Sequence, residues 1–139
     1  VGTWQPQSWV QAAATLALTD RRYTGYLEKT WTCWLDRLVD HEDGEVWSWI
    51  DLDRPERRGA KQHLWKNGYH SAEHALVSYL VAQELHGRPS TLYFAPAEGT
   101  APGAFQPYFF SGAATVGPEG PLGSLPSRRS IAVSFRGLR

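Results

Sequence analysis

The sequence predicts a mainly α-helical chain with a small antiparallel β unit appended at its C-terminal end. Two observations carry this. Apolar residues recur at helical spacing in three stretches before Pro89. After Pro89 they fall into short runs separated by Gly/Pro-rich segments, one of them strictly alternating.

The first helix is expected over 8–19, "SWVQAAATLALT", with Ser8 as its cap and an Ala-rich body of high helix propensity. A turn at Thr19-Asp20 follows. Residues 21–40, "RRYTGYLEKTWTCWLDRLVD", place Tyr23, Leu27, Trp31 or Trp34, Leu35 and Leu38 on one wide aromatic stripe. So short a link predicts that the two helices form a hairpin. Asp43-Gly44 signals a turn, and Val46–Ile50 reads as a short strand with Trp47 and Trp49 on one side. A polar loop containing Pro55, Gly59 and Gly68 leads to a third helix over 71–85. Its residues Leu76, Tyr79, Leu80 and Gln83 share one face and Val77, Val81 and Leu85 another, which predicts burial on two sides. Gly87 and Pro89 end it. Strands are expected at "STLYFA", "PYFFSGAATVG" and "RRSIAVSFRGL", the last with Ile131, Val133 and Phe135 alternating with Ala132, Ser134 and Arg136.

With 139 residues the chain is long enough for a real core. It contains no Met, which points to a fragment or a processed form whose function depends on further residues. Fourteen basic and fourteen acidic residues leave no surplus to attract nucleic acid or an anionic membrane. No apolar run approaches the roughly 18 residues of a membrane span. The single cysteine, Cys33, excludes an internal disulfide framework and a Cys-rich zinc site, and it fits a reducing, cytoplasmic setting. Seven Trp, six Tyr and five Phe either fill a small core with bulky side chains or line a pocket for a sugar ring.

"YHSAEHAL" contains His70-x-x-Glu73-His74, the H-x-x-E-H pattern of a class of zinc peptidases. Two histidines at i and i+4 share a helix face. A zinc site needs a third protein ligand, however. Glu84 lies about 15 Å further along the same helix, and Glu98 and Glu119 sit in Gly/Pro-rich loops. No shared metal is therefore expected. His74 reads as a packed helix residue bonded to backbone or a neighbour. His70 sits where loop meets helix, and a helix N-terminus favours the neutral imidazole that a general base needs. His41 and His63 fall in loops and His86 at a helix end.

The segments "WVQAAATLAL", "DRRYTGYLEKTWTCWLDRLVDHEDGEVWSWID" and "RGAKQHLWKNGYHSAEHAL" resemble, in order and spacing, the C-terminal part of the N-acylglucosamine 2-epimerase superfamily. That superfamily includes aldose–ketose isomerases and cellobiose 2-epimerases. The resemblance covers residues 4–95. It implies an (α/α)6 barrel of helical hairpins, here its C-terminal hairpins over 1–95, with a branch-specific β-rich extension over 96–139. It implies proton transfer at sugar C2 without metal or redox cofactor. His70 matches one of the family's two acid/base residues. Trp9, Gln11, Trp47, Trp49 and Lys66 match positions around the sugar. Ser8 and Ala13 stand where the family often has a second Trp and a Glu. The second acid/base group would come from the missing N-terminal part of the barrel or a partner chain, and the isolated chain is expected to be inactive and to self-associate. Three alternatives stay open: a non-catalytic carbohydrate-binding barrel, favoured by Ser8 and Ala13; a glycoside hydrolase, which would need two facing carboxylates; and the zinc peptidase.

Overall fold

The computed structural model describes residues 6–51, 53–64, 68–125 and 128–139; the side chains of residues 6–9 and 102 lie outside the description. The described chain contains three α-helices and one three-stranded antiparallel sheet: α1 (Pro6–Thr19), α2 (Thr24–Cys33), α3 (Gly68–Leu85), β1 (Ser90–Phe94), β2 (Ala113–Pro121) and β3 (Arg129–Arg136). The chain divides into two compact units, Val1–Ser78 and Tyr79–Arg139, with the boundary falling within the α3 sequence.

This corrects the expected architecture. The chain is a small mixed α/β protein, not the C-terminal part of an (α/α)6 barrel built from helical hairpins. Among the described residues only α1 and α2 are a sequential helix pair. Among the described residues no further α-helix follows α3. Gly87 turns in the left-handed region at φ 68°, and the chain enters β1 three residues later.

In the first unit, α1 ends at Thr19, and the Asp20 carboxylate accepts the Arg22 backbone N–H at 2.9 Å, capping a single 3-10 turn over Arg21–Tyr23. Helix α2 then widens into a π turn over Trp34–Leu38, closed by the Val39 N–H donating to the Trp34 carbonyl at 3.0 Å. Leu27, Trp34 and Leu38 are buried from the expected aromatic stripe, whereas Leu35 and Tyr23 are exposed. Trp34 and Leu38 form a core with Val46 and Ile50, against which Val39 and Trp47 pack. The segment expected as a strand is a ladder of single bridges. Val46 pairs with Val39 and Ile50 with Arg58, and the Gly59 N–H donates to the Trp49 carbonyl at 2.9 Å. A Cβ at residue 59 would lie 2.2 Å from Ser48 Oγ, so only glycine permits this approach.

Helix α3 buries one stripe, His74, Val77, Leu80 and Val81. Leu76 and Leu85 are half-buried and Tyr79 is exposed, so the expected burial on two sides does not occur.

In the second unit β3 is the central strand, paired antiparallel with β1 and β2. Its alternation is as the sequence predicts: Ile131, Val133 and Phe135 are buried. Phe94 packs against Phe105 and Phe135 at centroid distances of 5.1 and 6.2 Å. Strand β2 lies further along the chain than expected. "PYFF" makes a turn with Tyr108 at φ 62°, and the strand runs on through Pro118 to Pro121. An edge strand tolerates these prolines, and the register shift between Val116 and Glu119 absorbs the irregularity. No helix among the described residues is long and apolar enough to cross a membrane.

Candidate functional site

His70 lies in the first turn of α3, half-buried, with the Tyr69 ring edge-on at 5.6 Å. One turn later, His74 is 4% exposed and stacked on Trp34 at 3.7 Å between ring centroids, with 19° between the planes. Its Nε2 is buried and has no hydrogen-bond partner. His74 is packed as expected, its ring stacked on Trp34, while the bond expected to backbone or a neighbour is not made at Nε2. Burial pushes its pKa down from 6.5 to about 4, so at neutral pH the ring is uncharged. The widened π turn presents Trp34 to this ring.

The H-x-x-E-H residues are therefore divided between two environments. Glu73 accepts a hydrogen bond from the Tyr69 hydroxyl at 3.3 Å. Among the described residues no group of three or more His, Cys, Asp and Glu is placed to hold a metal ion. The other histidines are elsewhere: the His41 ring bonds the Leu35 carbonyl at 2.7 Å, His63 is exposed in a loop, and His86 follows α3.

The turn over 40–45 carries the Trp47 segment towards α3. Asp40 organises it, with one carboxylate oxygen accepting the backbone N–H groups of Glu42 and Asp43 at 3.0 and 3.1 Å. The other oxygen pairs with Lys61 at 2.6 Å. Lys61 and the two backbone donors hold the Asp40 pKa down at about 2. Lys61 also lies 4.9 Å from the Trp47 ring centroid, and the Arg58 guanidinium lies 5.1 Å from it. Trp47 is thus already engaged by two cations, and its Nε1 is buried without a partner. Glu45 accepts a hydrogen bond from the Ser71 hydroxyl at 2.8 Å, joining this turn to the first turn of α3.

Of the residues matched to a sugar site, Trp47, Trp49 and His70 belong to this first unit and are half-buried. Gln11 is half-buried on α1. The Trp9 side chain and Lys66 lie outside the described residues. Sequence reasoning missed Asp40, Lys61 and the Glu45–Ser71 contact. The "DHEDG" run held a signal for Asp40, because an Asp that opens a turn commonly accepts backbone N–H groups two and three residues on. In the second unit a cleft of about 370 Å³ is lined by Pro96, Glu98, Thr100, Glu119, Arg129 and Ile131, none of them a sequence-predicted site residue.

Comparison with protein-family models, with curated proteins and with solved structures finds no match for this chain.

Proposed function

We propose that the chain is part of a carbohydrate epimerase or isomerase, with His70 as one acid/base group in proton transfer at sugar C2. The observation that carries this reading is the different placement of the two α3 histidines. His74 is stacked into the core, so it is withdrawn from both metal binding and proton exchange. His70 remains half-buried in the first turn of α3. Removing a weakly acidic C–H next to a carbonyl needs a base that is unprotonated near neutral pH yet returns the proton, which suits imidazole. The ordered resemblance of three segments to sugar 2-epimerases supplies the substrate class. An opposing acid/base group is contributed by another segment or a partner chain.

In the full-length protein, His70→Asn lowers epimerisation or isomerisation by roughly 100- to 10,000-fold with folding nearly intact. Incorporation of solvent deuterium at C2 falls in parallel. Wild-type activity in this variant would remove His70 from the chemistry. The second reading, a non-catalytic carbohydrate-binding protein, is favoured by Ser8 and Ala13, which stand where the resembled family often has a second Trp and a Glu. It predicts sugar binding that His70→Asn leaves without a catalytic consequence.

A further inference from the structure

The Gly44-Glu45-x-Trp47-x-Trp49 segment contains a glutamate to which the proposed chemistry gives no task. Its geometry is unusual. Gly44 and Glu45 are both left-handed, with φ of 75° and 69°. Glycine adopts this region freely, but a glutamate there is strained, since its Cβ crowds the following carbonyl. Such strain persists only where surrounding contacts hold it. Here they do. The Asp40 N–H donates to the Glu45 carbonyl at 2.9 Å, and the Gly44 N–H donates to the Asp40 carbonyl at 3.0 Å. The Glu45 carboxylate accepts the Ser71 hydroxyl, 26 residues further on, at 2.8 Å. Ser71 is the residue after His70 in the first turn of α3. On the other side, Glu45 continues directly into Val46 and Trp47, which are anchored by the Trp47 N–H on the Leu38 carbonyl at 2.9 Å.

We propose that Glu45 is a positioning residue for His70: its strained backbone and its bond to Ser71 hold the first turn of α3 in register with the Trp47 segment. This rests on the reading of His70 as the proton-transfer group. The first turn of a helix is its most readily frayed part, because its N–H groups have no partners inside the helix. A side-chain bond from another segment is what keeps the ring on that turn in one place.

Two variants remove the bond and two retain it. Ser71→Ala deletes the donor and leaves the backbone and the Glu45 charge unchanged. Glu45→Gly deletes the acceptor while relieving the left-handed strain. Ser71→Thr keeps a hydroxyl, and Glu45→Gln keeps an acceptor oxygen. The first readout is the His70 ring signal, followed by NMR on the whole chain, with amide exchange over residues 69–72. Ser71→Ala and Glu45→Gly should shift the His70 ring signal and speed exchange there by roughly three- to tenfold. Ser71→Thr and Glu45→Gln should stay close to wild type. In the full-length protein, kcat for the sugar reaction should fall with little change in KM. An unmoved His70 signal in Ser71→Ala and Glu45→Gly overturns the positioning role, whatever the sugar assay gives. A moved signal with no wild-type turnover on any sugar upholds the positioning role and overturns the epimerase reading instead.

Discussion

Protonating His74 would put a charge on a ring that is stacked on Trp34 and almost wholly removed from water. In the unfolded chain this imidazole takes up its proton near pH 6.5, and in the folded protein only near pH 4. Between these values the unfolded state binds more protons. The contribution of neutral His74 is therefore fully present above pH 6.5 and is lost as the pH falls towards about 4. A shift of this size corresponds to about 3 kcal/mol at most. Denaturant midpoints measured across that interval should fall with pH. The Asp40 carboxylate is ionised in both states over most of the interval. Its own loss of stability begins only as the pH drops below about 3.8 towards 2. His74→Phe keeps an aromatic ring against Trp34 and removes the buried Nε2 that lacks a partner. It should be at least as stable at neutral pH and should flatten the profile. A wild-type profile that is already flat would contradict this assignment.

At the scale of elements, the sheet has two outer edges, and one is shielded by a single side chain. Strand β1 pairs with β3 on one side only. On its other side the Thr91 N–H donates to the Tyr79 hydroxyl at 2.9 Å, and that hydroxyl donates to the Thr91 carbonyl at 3.4 Å. The last turns of α3 thereby occupy backbone groups that would otherwise invite another strand. Tyr79→Phe should cost about 1 kcal/mol and expose the Thr91 amide to exchange, while the buried Val133 amide stays protected. Unchanged exchange at Thr91 would show that the hydroxyl does not guard this edge. None of this could be read from Tyr79 in the sequence, where helical spacing only placed it on an apolar face. Spacing served well where burial follows one period, as in β3 and in the Leu27, Trp34 and Leu38 stripe. It failed where a backbone irregularity decides the outcome. Neither the π turn after Cys33 nor the left-handed Tyr108 that moves β2 along the chain has a periodic signature. The hairpin barrel was an inference from resemblance, and it failed because α3 turns at Gly87 into a strand instead of another helix. His70 and the Trp47 segment were legible as residues. The contact that links them, Glu45 to Ser71, spans 26 positions and left no local mark.

For the molecule as a whole, the expectation of self-association was first drawn from an unfinished barrel, and that ground is gone. The surface supplies another. Leu64 is 89% exposed, Tyr93 76% and Phe109 56%, and Tyr26 and Leu35 are also exposed. Scattered apolar residues are normal on a protein surface, so their number alone decides nothing. What matters is that large side chains stand open in both units, Leu64, Tyr26 and Leu35 in the first and Tyr93 and Phe109 in the second. A net charge of zero adds little long-range repulsion to keep copies apart near neutral pH. The chain should therefore associate as its concentration rises, and more so near neutral pH than well away from it. Light scattering over a dilution series is the measurement. Leu64→Ser and Phe109→Ser, made separately, identify which unit drives association, because each removes apolar surface from only one of them. If Leu64→Ser alone restores the monomer, the adhesive surface belongs to the unit that carries His70. A mass that stays monomeric from dilute to concentrated solution would show that these side chains are tolerated exposure.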